Sequence, residues 1–282
     1  MKIQTITEEN LDIICSICLD PSVDKETKLL MENGMENRIN WIKEMMLKGL
    51  EILVAFEKPR DEKIHYKWVG KILHSDLAIR GQVPMGLVEF IPIEHALEPI
   101  NGEKMLFIDC IWILPPFWHS GVATALIESL IEKAKPVGGV GVIAYDGDSW
   151  FDTSIKYMSS SFFKKLGFKE VDRDGTRVLL YYDLGSSIPP KFILPKSKDI
   201  TTTKKLNLDI FFNSQCPWSK YMVNTVTSHL KNNPKININI INTDDKELIK
   251  LSGISRGVIL NGKPIIKRMA SIEEIQLEIE KY

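Results

Sequence analysis

The chain has 282 residues, 44% hydrophobic and 26% charged, with a formal net charge of −1; this suits an ordinary globular protein long enough for two modest domains. No apolar run reaches the ~20 residues of a membrane span, and the polar start MKIQTITEEN lacks a signal-peptide pattern, so a cytoplasmic location is expected. Residues 1–185 hold 21 Lys+Arg against 28 Asp+Glu (net −7), whereas residues 204–282 hold 12 against 8 (net +4). That basic end has no dense stripe, which argues against nucleic acid as a partner, and four scattered cysteines are too few for a disulfide scaffold.

In chain order, a short strand is expected at 2–6, a helix at 8–19 and a long amphipathic helix over 25–50. An interruption is expected near Gly34, since glycine weakens a helix interior. Met35, Ile39, Ile42 and Met46 recur there at near-helical spacing and read as core packing. Strands follow at 51–56, 65–74, 86–93 and 105–114. Residues 122–135 form a helix with Val122, Leu126, Ile127, Leu130, Ile131 and Ala134 on one face, stopped by Pro136. A strand at 140–145, a helix at 153–166 closing on Gly167 and a last strand at 177–184 complete a domain over 1–185.

Residues 186–203, rich in Pro, Ser, Thr and Lys, read as a linker whose Phe192-Ile193-Leu194 docks on one domain. The remainder, 204–282, gives a strand at 206–212, a helix at 217–232, a strand at 236–241 and a helix at 245–251. A strand at 258–260, the hairpin turn Asn261-Gly262, a strand at 264–268 and a capping-box helix start at Ser271 follow. This order, β-α-β-α-β-β-α, fits a small thioredoxin-like domain.

The most informative stretch runs from Ile111 to Thr124. An apolar strand enters a turn at Pro115-Pro116 and then a helix start built from small residues. A helix start offers unpaired N–H groups and a positive dipole end, which suits a pyrophosphate. Prolines donate no hydrogen bond, so the donor-rich cradle falls on Trp118, His119, Ser120, Gly121, Val122, Ala123 and Thr124. The competing reading is a plain strand–turn–helix joint. The register of strand, Pro, Gly-x-Ala and amphipathic helix favours the cradle.

This turn resembles the acyl-CoA loop of the GNAT acetyltransferase superfamily, Val-x-Pro-x-x-Arg/Gln-x-x-Gly-x-Gly/Ala. Ile113, Pro115, Gly121 and Ala123 match, Trp118 takes the Arg/Gln position, and His119 stands where glycine is common. The run Ser161–Phe168 resembles the family's Phe-Tyr-x-Lys-x-Gly-Phe helix end, with Phe163 where a thiolate-protonating tyrosine is frequent. Segments 89–95 and 108–112 resemble a bacterial subgroup carrying a C-terminal YoaP-like domain, and residues 204–282 are similar to that module. The resemblance implies an α/β (α+β) GNAT fold with a mixed, mostly antiparallel sheet. It also implies acetyl-CoA as cosubstrate and direct acetyl transfer to a primary amine of a small molecule or protein. Ile111, Trp112 and Ile113 would pair with the pantetheine arm and offer an N–H to the oxyanion.

Catalytic candidates are Glu89, Asp109 and Cys216. Glu89 shares a strand face with Leu87 and Ile91, where an apolar setting raises a carboxylate pKa towards base duty; the alternative is an exposed or ion-paired Glu. Asp109 and Cys110 are expected on opposite strand faces, with Cys110 as packing. Glu94 and His95 are further candidates, His95 reading more simply as a solvated loop residue. Cys15-Ser16-Ile17-Cys18 lies on a helix beside Leu11 and Ile14 with no second ligand pair, so core packing is preferred and no metal site is expected. Cys216 opens a helix, which favours a thiolate; Ser219 stands in the second cysteine's place, and Arg256 stands where thioredoxin-like domains carry a cis-proline. The tail domain is expected to serve substrate capture, homodimer contacts or thiol-dependent regulation. Two rival readings remain: an acyl-CoA-binding sensor with a redox- or metal-responsive Cys216, and a monothiol oxidoreductase.

Overall fold

The computed structural model describes residues 1–19, 24–57, 66–68, 71–73, 83–147, 157–185, 188–195 and 205–282. In chain order the elements are β1 (Lys2–Thr5), α1 (Leu11–Cys18), α2 (Lys25–Met46), β2 (Glu51–Phe56), β3 (Tyr66–Trp68) and β4 (Lys71–Leu73). Then come β5 (Pro84–Pro92), β6 (Ile100–Asn101), β7 (Leu106–Ile113), α3 (Val122–Ala134) and β8 (Gly139–Tyr145). The first domain closes with α4 (Ser160–Lys165), β9 (Lys169–Asp174) and β10 (Arg177–Asp183). A short strap, β11 (Lys191–Phe192), leads to β12 (Leu206–Phe212), α5 (Pro217–Leu230), β13 (Ile236–Asn242), α6 (Lys246–Ser252), β14 (Gly257–Leu260), β15 (Lys263–Ile266) and α7 (Ile272–Ile279).

The first domain is a seven-stranded sheet in the order β1-β2-β5-β7-β8-β10-β9. Every pairing is antiparallel except β7 with β8. That parallel pairing covers only Leu106–Ile108 against Val140–Val142, after which the two strands part. β5 is buried along Pro84–Ile91 because α1 and α3 both pack on it; a strand covered on both faces is near-continuously apolar rather than alternating. This is why the expected face-sharing of Glu89 with Leu87 and Ile91 does not discriminate inside from outside. The tail carries its own four-stranded sheet, β13-β12-β14-β15, over a separate apolar core that includes Leu208, Ile210, Val226 and Ile275. Its element order is the one expected.

Several expectations need correction. α2 runs unbroken through Gly34. A Cβ there would lie 2.9 Å from the Pro217 carbonyl oxygen, so the glycine serves close contact between α2 and α5 and not a break. The strand expected over 65–74 is, in its described part, two short strands paired with each other; His65 and His74 lie outside the described residues. Residues 153–156 of the expected 153–166 helix also lie outside them, and the described helix is α4. β9 was not expected; it pairs with β10 through a hairpin, and its half-exposed, charge-rich sequence KEVDRD hides a strand signal. Alternation along β7 is broken: Glu89 pairs with Cys110 and Phe90 with Ile108, leaving Asp109 as the extra residue of a bulge. Asp109 and Cys110 therefore do not simply face opposite ways.

The first part of the linker straps onto the first domain as expected. Lys191–Phe192 pairs with Ile100–Asn101, and Phe192 is buried beneath the Arg177 guanidinium, 5.1 Å from the ring centre.

Candidate active site

Where β7 and β8 part, a cavity of about 630 Å³ opens, lined by Ile111–Ile113, the turn from Phe117 to Thr124, and Tyr157, Met158, Ser159 and Phe162. The opening follows from topology: β8 turns instead to bridge Ser159, with Tyr145 N–H donating to the Met158 carbonyl. Among the described residues, the β8-facing edge of β7 beyond Ile108 is thus left without a neighbouring strand, while its other edge stays paired with β5. All ten residues expected to hold the cosubstrate line this cavity except Ser120, whose hydroxyl donates to the Phe117 carbonyl and closes the turn.

The helix start is shaped as a donor cradle. Gly121 caps α3 at φ +82°, and His119 also sits at positive φ (60°). Inside α3 the first N–H to reach a backbone acceptor across the cap is that of Ala125, on the Gly121 carbonyl. The N–H groups of Val122, Ala123 and Thr124 therefore point out of the helix start, as the first turn of any helix requires. A Cβ on Gly121 would meet nothing within 4 Å, so the space before it belongs to the cavity. Trp118 does not reach into it as an Arg or Gln would: its indole N–H donates to the Ile113 carbonyl at 2.7 Å, pinning the turn to the end of β7. Trp112 stacks edge-on against Trp118 and lies 6.3 Å from Tyr157, giving the cavity an aromatic wall.

Midway along β7, at its bulge, a polar cluster is buried between the two domains. Arg38 of α2 pairs with Glu89 at 2.8 Å, with the two side chains 3% and 0% exposed, and also donates to the Gln215 carbonyl. The Gln215 amide nitrogen donates to Glu89 Oε1 at 3.3 Å and to the Asp109 carbonyl at 3.1 Å. Glu89 therefore has both oxygens engaged, the ion-paired alternative weighed from sequence. Asp109 is 5% exposed and neither of its carboxylate oxygens has a hydrogen-bond partner. Burial, then the nearby Glu89 and Glu98, hold its carboxyl well above the usual carboxylate range, opposed by Arg256 and Lys246.

The thiols here are not thiolates. Burial raises the half-buried Cys216 despite Arg256, Arg38 and its position at the cap of α5, against the expectation from the helix dipole; here desolvation outweighs the dipole. Burial likewise pushes Cys18 up to about 11 and raises Cys110, which accepts a hydrogen bond from the Tyr157 hydroxyl at 3.2 Å. Cys15 and Cys18 are only half-buried, the buried face of α1 being Leu11, Ile13, Ile14 and Ile17. Among the described residues no group of three or more His, Cys, Asp or Glu is arranged to hold a metal ion. Glu94 and His95 are exposed, and Glu94 accepts from the Lys104 N–H; neither joins the cluster.

The sequence reading missed Arg38, Tyr157 and Gln215. None carries a motif; each acquires its place through a contact between elements distant in the chain. Phe163 proves to be core, wholly buried between Phe162 and Phe168, and Phe162 lines the cavity in its stead.

Residues 42–168 match the acetyltransferase (GNAT) family. Over 144 residues it is 27% identical to the uncharacterized N-acetyltransferase YoaP of Bacillus subtilis, a match covering 49% of this chain and 53% of that protein. The chain thus spans about half the length of this curated relative. A GNAT-family N-acetyltransferase (YhbS) from Escherichia coli in complex with CoA is 11% identical, covers 68% of this chain and 88% of its own, and has a TM-score of 0.38. An acetyltransferase from Thermus thermophilus is 11% identical, with 65% and 97% coverage and a TM-score of 0.39. No helix among the described residues is long and apolar enough to cross a membrane.

Proposed function

We propose that the protein is an acetyl-CoA-dependent N-acetyltransferase that passes an acetyl group directly to a primary amine. The observation that carries this reading is the cavity between the parted strands, floored by the free edge of β7 and closed by the N–H groups at the start of α3. A pyrophosphate suits that helix start, a pantetheine arm suits the unpaired strand edge, and an N–H of Ile111–Ile113 suits the oxyanion of the tetrahedral intermediate.

The amine nitrogen attacks the thioester carbonyl, its proton passes to a base, and the C–S bond breaks to release the CoA thiolate. Asp109 is the better base than Glu89, because its oxygens are uncommitted whereas Glu89 is held by Arg38 and Gln215. An acceptor arriving as ammonium brings the counter-charge that favours the Asp109 carboxylate. Tyr157, whose burial keeps it a phenol, lines the cavity and would turn its hydroxyl from Cys110 Sγ to the departing sulfur, in the role the sequence left open at Phe163. A thiolate of ordinary pKa needs no stronger acid. The tail resembles a thioredoxin-like domain in element order, and Ser219 together with the raised pKa of Cys216 disfavours a thiol-exchange role.

Release of free CoA thiol from acetyl-CoA with a panel of primary amines tests the proposal. Turnover on at least one amine, abolished by Asp109→Asn, is expected. Tight CoA binding without turnover on any amine overturns it in favour of the acyl-CoA sensor.

A further inference from the structure

The first domain is acidic and the tail basic, and the seam between them is knitted by that difference. Arg256 pairs with Glu98, Lys267 with Asp174 at 2.5 Å, and Lys246 donates to the carbonyls of Ala96 and Glu98. Ser255 donates to Glu98 at 2.7 Å, Asn224 donates to the Leu30 carbonyl, and Ile249 of α6 is wholly buried in the first domain's core. Contacts of this kind belong to a standing interface, so residues of the tail that reach the cluster at Asp109 are permanent parts of it.

Gln215 is the tail residue that does so. Its amide can be oriented only one way: both groups facing it, Glu89 Oε1 and the Asp109 carbonyl, are acceptors, so the NH2 must point at them. Gln215 Oε1 is then turned away and buried with no partner, as are both Asp109 oxygens. The Gln215 oxygen and the Asp109 carboxyl, from two domains, are thus enclosed in one cluster with no hydrogen-bond partner, although buried polar groups are almost always satisfied. Tyr157 borders this region from the cavity side: it lines the large cavity and also a small pocket with Glu98, Ser255 and Arg256.

We infer that Asp109 and Gln215 together form the acceptor subsite, a seat for the ammonium head of a small aliphatic amine, built jointly by the GNAT domain and the tail. This deepens the transferase reading and rests on it. An ammonium supplies three donors and a positive charge, which suit the Gln215 oxygen and an Asp109 carboxyl that gives up its proton to the solvent as the cation arrives. The enclosure selects by size as well: with both domains closed over Asp109, an amine carried on the surface of a folded protein cannot be presented there, and the acceptor is a small molecule. The tail domain is therefore a specificity element.

The test is calorimetric titration of n-butylamine into the full chain without CoA, in two buffers of different ionisation enthalpy near pH 7. The expected result is saturable binding accompanied by proton release, as the Asp109 carboxyl, raised in the empty site among Glu89, Glu98, Arg256 and Lys246, ionises against the incoming cation. Asp109→Asn is expected to bind about tenfold more weakly or worse and to lose the proton release, and Gln215→Leu to weaken binding about threefold to tenfold. Gln215→Asn, which shortens the side chain without removing its amide, serves if the leucine variant does not fold. Absence of saturable binding, or equal affinity in wild type and both variants, overturns the inference. A parallel titration with CoA separates the two ideas: CoA bound and amine not bound sinks the composite seat alone, and amine bound with CoA ignored sinks the transferase reading.

Discussion

Replacing Arg38 by Met tests whether the two domains are held by a buried charge network at the candidate site. Arg38 and Glu89 are 2% and 0% exposed as residues, and their contact is 2.8 Å. With charge centres about 4 Å apart and an effective dielectric of about 20, the attraction is roughly 4 kcal/mol. Desolvation of both ions offsets much of that, so the pair as a whole adds little net stability. Removing one partner is another matter, since it strands Glu89 in the interior and frees the Gln215 carbonyl that Arg38 holds. The expected loss is about 3–5 kcal/mol, read as a lower urea midpoint in unfolding followed by near-UV circular dichroism. The double variant Arg38→Met/Glu89→Leu should recover most of the loss, because no unpaired charge remains. A cost below about 1 kcal/mol for Arg38→Met, the level of an exposed pair, would refute the reasoning. So would a double variant as unstable as the sum of the two single ones.

Three further outcomes follow from the same geometry. By helix propensity alone Gly34→Ala would stabilise by about 1 kcal/mol; because its Cβ would lie 2.9 Å from the Pro217 carbonyl, a loss of about 1–3 kcal/mol is expected, and a gain in urea midpoint would show that α2 and α5 do not press together. Asp109→Asn should stabilise the protein at pH 8 and make no difference near pH 3: a carboxyl whose folded pKa is raised favours folding below its unfolded value and loses that contribution as pH rises towards the folded one, so equal midpoints at both pH values would count against a buried, unpartnered Asp109. Gly121→Ala places a side chain at φ +82°, which costs about 1–2 kcal/mol of stability, and its methyl enters the cavity; CoA affinity by calorimetry should fall, and unchanged affinity would move the pyrophosphate away from this turn.

Much of the fold was legible because its signals are local. The strand at Glu51–Phe56 and the tail strand at Leu206–Phe212 have the expected bounds, since a run of apolar, β-branched and aromatic residues states its own conformation. The turn and helix start at α3 were legible for the same reason: Pro115, Gly121 and Ala123 fix backbone geometry within a dozen residues. Ser271 likewise caps α7 by accepting the Glu274 N–H, although the Glu274 carboxylate binds Arg268 and leaves the reciprocal half of the box unmade. Strand β9 escaped because its charged residues pair with one another across the surface, as Arg173 does with Glu170 and Asp146, and present no apolar alternation to read.

What the amino-acid order indicated by itself was most of the elements, the order of those in the tail, the strand–turn–helix at Ile111–Thr124 and the opposite charge of the two halves. Only the folded chain decided that Gln215 of the tail lies against Asp109 and Glu89 of the first domain. It also decided that Glu89 is committed to Arg38, that Cys216 stays a thiol, and that Tyr157 rather than Phe163 meets the cavity. The reason is physical: conformation is set by neighbours a few residues away, whereas protonation and hydrogen-bonding depend on burial, and burial is a property of everything that packs around a group.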